Sequence, residues 1–276
     1  MFDIAGKRIL ITGSSSGLGA EMAKGLAARG AVVGLCARRA DRLADVLAEV
    51  QQHSPASRSW AIDLGDLDGI DAFAGQVTSE LGGLDVLINN AGIPKRRWAW
   101  DHRPDEIASV LRINVESPIR LTLALLDALG ASAGKVLFIG SVAARLSPPN
   151  EAVYAASKAA VTAFAESLKV DLGVAGSPIG VHVVQPGVLA TDLFGLPDND
   201  SSLSDIEPLD PSAIVEPVLD ALASGRFETF VPGWFADIPA IKVGDPDGFL
   251  AGAVEYTTQR LDTMGQGRPA GPGSRS

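Results

Sequence analysis

From Arg8 to Ser141 the sequence alternates short apolar runs with amphipathic stretches, and this alternation limits the fold more than any other feature. A run that is apolar on both faces can only be a strand buried on both faces. Amphipathic segments between such runs must then supply the cover. The first unit is the clearest. Arg8-Ile9-Leu10-Ile11 reads as a buried strand, Thr12-Gly13-Ser14-Ser15-Ser16-Gly17-Leu18-Gly19 follows directly, and Leu18, Met22 and Leu26 then recur at helical spacing until Gly30. Further strands are read at 31–36, 58–62, 84–88, 136–140, 181–184 and 227–231, with helices at about 41–50, 66–81, 104–129, 151–172 and 211–224. The expected fold class is therefore α/β: a doubly wound parallel sheet of about seven strands with helices on both faces, in one domain over residues 1–264. Residues 265–276, rich in Gly, Pro, Ser and Arg, read as a disordered tail.

Several function classes are excluded early. The formal net charge of −10 opposes nucleic acid or an anionic membrane as partner. Cys36 is the one cysteine, so no intramolecular disulfide forms, and His53, His102 and His182 lack metal-ligand spacing; no metal is expected. Residues 1–8 lack the basic, apolar and small-residue order of a signal peptide, so none is expected, and no apolar run reaches the roughly 18 residues of a membrane span. Cytoplasmic location is the expectation.

The strand ends carry the chemistry. Glycines between a strand and a helix let the backbone approach a pyrophosphate, held by free N–H groups and the helix dipole. The spacing Gly-x3-Gly-x-Gly departs from the commoner dinucleotide fingerprint. After the second strand stand Arg38 and Arg39, where an acidic residue would read a ribose 2′-hydroxyl, so NADP(H) is preferred over NAD(H). Asn89-Asn90-Ala91-Gly92 ends a central strand and reads equally as a turn or as a ligand-facing edge. Asn114, flanked by apolar residues mid-helix, marks either a packing network or a site. His182 reads as structural, and Cys36 as a small core residue.

Tyr154 and Lys158 are four apart on one helix, so phenol and ammonium share a face, and the cation is expected to pull the phenol pKa below its usual value of about 10. Topology brings Ser141, Asn114 and this helix to one sheet edge. The loop Ile93–Arg103, with Trp98 and Trp100, reads as a substrate wall or a subunit contact. The irregular segment at about 191–210 reads as a mobile lid, and the apolar segment Trp234–Val243 as a pocket cover, a subunit contact or a surface resting on a membrane.

Together Thr12-Gly13-x3-Gly17-x-Gly19, Asp63, Asn89-Asn90-Ala91-Gly92, Asn114, Ser141, Tyr154-x3-Lys158 and Pro186-Gly187-x3-Thr191, in this order over about residues 7–231, resemble the short-chain dehydrogenases/reductases of the single-domain branch. The resemblance implies a Rossmann-like fold and a catalytic set of Asn114, Ser141, Tyr154 and Lys158. It implies hydride transfer between NADP(H), or NAD(H) as the alternative, and a carbonyl or secondary alcohol. Ser141 would hold the carbonyl, Tyr154 pass the proton, Lys158 tune Tyr154 and bind the nicotinamide ribose, and Asn114 hold a water linking Lys158 to solvent. Cofactor contacts are implied for Gly13, Ser15, Ser16, Gly17, Leu18 and Gly19 at the pyrophosphate, and for Arg38 and Arg39 at the ribose. The same resemblance places Asp63 and Leu64 at adenine, Asn90, Ala91 and Gly92 along the cofactor, and Pro186, Gly187, Val188 and Thr191 near the carboxamide. The substrate walls are expected from Ile93, Trp98, Trp100, Val142, Ala143, Arg145, Leu189, Phe194 and Leu196, an apolar set suited to a steroid, acyl thioester or xenobiotic carbonyl. A homodimer or homotetramer through helices 104–129 and 151–172 is implied as well. Two competitors are an NADP-binding regulatory or structural protein without turnover and a sugar-nucleotide epimerase or dehydratase of the longer branch; the latter calls for a different glycine spacing and a larger C-terminal region.

Overall fold

The apolar runs form seven strands in the computed structural model, which describes residues 3–191, 195–196 and 198–272. They are β1 (Arg8–Thr12), β2 (Val32–Ala37), β3 (Arg58–Ala61), β4 (Val86–Asn89), β5 (Lys135–Ile139), β6 (Gly180–Pro186) and β7 (Glu228–Val231). All pair in parallel, in the order β3-β2-β1-β4-β5-β6-β7. The chain winds outward from β1 to β3, then returns to the middle and winds the other way from β4 to β7. Loops leaving β1 and β4 therefore part in opposite directions and open a crevice at the strands' carboxyl ends.

Alternation within each strand builds a core on each face. Ile9 and Ile11 enter one core with Met22, Leu26 and Val218, whereas Leu10, Leu87 and Phe138 enter the other with Phe73, Leu125 and Val161. The covering helices are α1 (Gly17–Ala27), α2 (Ala40–Gln51), α3 (Ile70–Leu81), α4 (Pro104–Leu111), α5 (Ser117–Ala131), α6 (Ala152–Val174) and α7 (Val215–Ser224). Leu87 is wholly buried in the central strand. Leu87→Ala is expected to cost about 3 kcal/mol, through lost transfer energy plus the cavity left behind, read as a lower urea midpoint at unchanged slope.

One expected helix is broken. Instead of running unbroken from Pro104 to Leu129, the chain makes a π turn over Arg112–Glu116 between α4 and α5. The cause lies four residues past Asn114: Pro118 has no N–H for the Asn114 carbonyl, and its ring would strike that carbonyl in a regular helix. The extra residue aims Asn114 inward.

Beyond β7, α8 (Ile238–Gly244) and α9 (Pro246–Thr263) pack together. Sequence reading leaves α9 out because only Thr257 and Leu261 are buried, too few to make an apolar stripe. Its start is nonetheless signalled: Asp245 accepts the Gly248 N–H at 3.0 Å, and Pro246 takes the first turn. No helix among the described residues is long and apolar enough to cross a membrane. Of the expected tail, residues 265–272 form only turns and irregular chain, and 273–276 lie outside the described residues.

Candidate active site

The glycine turn after β1 is shaped by close approach. Gly13 has φ +69°, and a Cβ there would lie 2.8 Å from Ala91 Cα; a Cβ on Gly19 would lie 2.4 Å from the Gly13 carbonyl. The end of β4 is lashed to this turn. Thr12 Oγ1 accepts the N–H groups of Asn90 and Ala91, each at 2.9 Å, and Asn90 Nδ2 donates to Thr12 O at 2.8 Å. Ser16 begins α1 without making a side-chain cap, so the helix dipole faces the crevice unsatisfied by its own residues. Arg39 crosses above, its Nη2 donating to Ser16 Oγ at 2.7 Å and Ser15 Oγ at 3.1 Å, and Arg38 lines the same rim. A cation, two hydroxyls and a helix N-terminus around a cradle that any side chain would fill suit a dinucleotide carrying an extra phosphate.

The four expected catalytic residues converge on the neighbouring crevice. Ser141 leaves the end of β5; its Oγ accepts the Ala143 N–H at 3.1 Å and its own N–H donates to Gln185 Oε1 at 2.7 Å. Both ends of the Asn114 amide are held by its neighbours, and its Oδ1 keeps a second lone pair. Its Oδ1 accepts the Ile93 N–H at 2.8 Å, and its Nδ2 donates to Ile93 O and Ser157 Oγ, both at 3.0 Å. Lys158, 5% exposed, donates from Nζ to Ile139 O at 2.9 Å and stands 5.8 Å from the centre of the Tyr154 ring. Gly92 joins these groups, since a Cβ there would lie 3.3 Å from Asn114 Oδ1 and 3.5 Å from Lys158 Nζ.

The electrostatics correct one expectation. The phenol of Tyr154 is pushed up, not down: burial raises its pKa, Glu151 raises it further, and only a hydrogen bond from Ser141 and the charge of Arg96 work the other way. Burial is the main cause, and Lys158 does not offset it. Its ammonium is turned to the Ile139 carbonyl, and burial lowers its own pKa to about 8. Glu151, one turn before Tyr154, pairs with buried Arg96 at 2.7 Å. Glu151→Gln is therefore expected to move the alkaline limb of the pH–rate profile to lower pH.

Ser141, Tyr154 and Lys158 face a cavity of about 460 Å³ that also takes in the glycine cradle, whereas Asn114 and Gly19 are not among its lining residues. Ile93, Val142, Ala143, Leu189 and Leu196 line it as expected, and so do Asp63, Leu64, Pro186, Gly187, Val188 and Thr191. Three expected wall residues do not. Trp98 and Trp100 stack on each other, 5.7 Å apart and 10° from parallel, outside the lining, and Arg145 is held by Glu228 and Glu166. Phe194 lies outside the described residues. The lining adds Arg96, Ile113, Glu151 and Phe235. Phe235 was foreshadowed by the apolar segment after β7; a Cβ on Gly187 would lie 2.6 Å from its ring.

The loop expected to be a lid is tied down on several sides. Arg96 N–H donates to Asn199 Oδ1 at 2.8 Å, Asp200 N–H to Arg96 O at 3.0 Å, and Lys95 pairs with Asp198. Across the cleft, Leu209 bridges to Leu189 beyond β6, and Arg260 of α9 donates to Leu203 O at 3.3 Å. Among the described residues no cluster of His, Cys, Asp or Glu could hold a metal. His182 is buried in β6 with Nδ1 2.7 Å from Arg226 O, and Cys36 is buried in the core.

The family pattern described as short chain dehydrogenase matches residues 7–200. Over 194 residues the chain is 38% identical to dehydrogenase/reductase SDR family member 7B of Bos taurus, covering 67% of this chain and 58% of that relative's length. A short-chain dehydrogenase from Burkholderia cenocepacia in complex with NADP superposes with a TM-score of 0.73 at 30% identity, over 83% of this chain and 97% of that one. The 3-ketoacyl-(acyl-carrier-protein) reductase from Brucella melitensis complexed with NADH gives 0.74 at 26% identity, over 82% and 98%.

Proposed function

The chain belongs to the short-chain dehydrogenase family and is an NAD(P)(H)-dependent oxidoreductase of that type, and on this premise we propose that it interconverts the carbonyl and secondary alcohol of a mostly apolar substrate, with Tyr154 as general acid/base and NADP(H) as preferred cofactor. One observation carries the reading: Ser141, Tyr154 and Lys158 line a single mostly apolar cavity whose far end is the Arg39-topped glycine cradle.

The bound nicotinamide supplies or accepts the hydride. In the reducing direction Ser141 Oγ–H donates to the substrate oxygen and Tyr154 gives it a proton, so charge developing on that oxygen is met as it forms. A phenol held above its usual pKa keeps its proton until that oxygen becomes basic. Lys158, its Nζ 5.8 Å from the centre of the Tyr154 ring, and Arg96 supply positive charge beside the emerging phenolate, and Asn114 sets the backbone around Gly92 and Ile93 against which the cofactor would lie. Asn114 also places a water through which Lys158 exchanges protons with solvent. In oxidation the same groups act in reverse. The apolar walls suit a steroid, an acyl thioester or a xenobiotic ketone.

We read residues 1–264 as one catalytic domain, in the cytoplasm. We also read it as a homo-oligomer through α5 and α6, where exposed Leu123, Val170 and Val174 support the contact. A panel of ketones and secondary alcohols, run with NADPH and NADP and followed by nicotinamide absorbance, tests the activity. Turnover of an apolar member is expected; none with either NADP(H) or NAD(H) would contradict the reading. Arg39→Ala is expected to weaken NADPH binding by about 10- to 100-fold, the worth of a charge-assisted phosphate contact, and to leave NADH binding unchanged in a fluorescence titration.

A further inference from the structure

Gln185, the residue before Pro186 at the end of β6, takes no part in the scheme above, yet its side chain is fully buried and every polar atom of it is used. Its Oε1 accepts the Ser141 N–H at 2.7 Å. Its Nε2 donates to Glu228 Oε1 at 2.8 Å and to Thr162 Oγ1 at 3.2 Å, and Thr162 in turn donates to the Lys158 carbonyl at 2.8 Å. The amide cannot be flipped: Ser141 N–H is only a donor and the Glu228 carboxylate only an acceptor, so only one orientation of the amide satisfies both. Glu228 is itself fixed by Arg145 at 3.0 Å. Gly140 confirms how close this packing is, because a Cβ there would fall 2.0 Å from Gln185 Oε1. The backbone just before Ser141 is glycine where the Gln185 amide must pass.

We propose that Gln185 is a positioning residue for the carbonyl-binding hydroxyl: it registers Ser141, at the end of β5, against the segment of α6 that carries Tyr154 and Lys158. This rests on the role given above to Ser141. Among the described residues the amide bonds both to the Ser141 backbone and, through Thr162, to the Lys158 backbone, and so bears on the offset between the hydroxyl and the phenol. An offset of about 1 Å in such a pair costs about 100-fold in rate.

The test uses the full chain with NADPH and an aromatic 1,2-diketone as probe, and compares Q185M, Q185E, S141A and S141A/Q185M. Methionine keeps the volume and removes the acceptor. Q185M is expected to lose about 10- to 100-fold in kcat while KM for NADPH is unchanged. Glutamate keeps the oxygen for Ser141 N–H but faces the Glu228 carboxylate, so Q185E is expected to lose thermal stability and yet stay within about threefold of the wild-type kcat. If Gln185 acts through Ser141, S141A/Q185M is no slower than S141A; a merely structural role makes the two losses multiply. Amide hydrogen exchange, which needs no substrate, is expected to be at least about 10-fold faster at Ser141 in Q185M, with Ile139 and Val183 unchanged. Unchanged exchange at Ser141, multiplying losses, or wild-type kcat in Q185M beside a slow S141A would overturn this proposal alone. Wild-type kcat in S141A would overturn the role of the Ser141 hydroxyl, and the proposal with it.

Discussion

Tyr154→Phe is expected to lower kcat by about a thousandfold while NADPH binds as before. The substitution removes one oxygen and leaves a ring of the same shape in the crevice, so what is lost is the proton donor, and general acid catalysis is worth about 10²- to 10⁴-fold. Three features place this oxygen well inside that range. Ser141 hydrogen-bonds to it, burial and Glu151 hold it protonated, and the surrounding cavity is lined mostly by apolar side chains that keep solvent from taking its place. Steady-state kinetics beside a fluorescence titration of NADPH separate the two effects. Loss of binding in parallel with turnover would mean the phenol holds the cofactor instead of protonating the substrate.

Lys158→Met is expected to give an enzyme that is more stable and about 100-fold or more slower. Burial lowers the Lys158 pKa from its usual 10.5 to about 8, so the unfolded chain binds the proton more tightly than the folded one. Stability must then rise with pH between about 8 and 10.5, and below pH 8 the folded protein carries a penalty of about 3 kcal/mol. Methionine removes that penalty and orphans the Ile139 carbonyl, now 2.9 Å from Nζ, at a cost of about 1 kcal/mol. The net gain at pH 7 is about 2 kcal/mol, or roughly 5 °C in Tm. It should vanish as pH approaches 10.5, since neutral lysine carries no such penalty. Above pH 10 the raised Tyr154 pKa works in the opposite sense, because the folded phenol keeps a proton that the unfolded one releases. Thermal melts of both proteins from pH 7 to 10 would show the curves converging. A destabilised Lys158→Met at pH 7 would mean the ammonium is held by more than one carbonyl.

Much of this architecture was legible because buried parallel strands read as unbroken apolar runs, and each ends where the crevice opens. Ile9 and Ile11 enter one core and Leu10 the other, so the run 9–11 had to be apolar throughout. The features that were not legible depend on direction. Four-residue spacing puts Tyr154 and Lys158 on one face, but it does not set the lysine rotamer, and the ammonium turned to Ile139 instead of the phenol. Aromatic type does not say which way a loop faces. Lys95, Arg96 and Arg97 are drawn to Asp198, Glu151 and Glu106, and that arrangement leaves the Trp98–Trp100 stack outside the cavity. The π turn at Asn114 was signalled by Pro118, a residue whose effect is felt four positions upstream. Gln185 gave no signal, because a glutamine in an apolar strand names none of its partners.

The most direct measurement is label transfer from NADPH deuterated at C4 of the nicotinamide to a ketone the enzyme reduces, in the wild type and in Tyr154→Phe. One deuterium at the carbinol carbon of the wild-type product, from one C4 face only, with transfer about a thousandfold slower in Tyr154→Phe, is the result predicted. Transfer at the wild-type rate by Tyr154→Phe, or an unlabelled product from both C4 faces, would contradict hydride transfer completed by the Tyr154 proton.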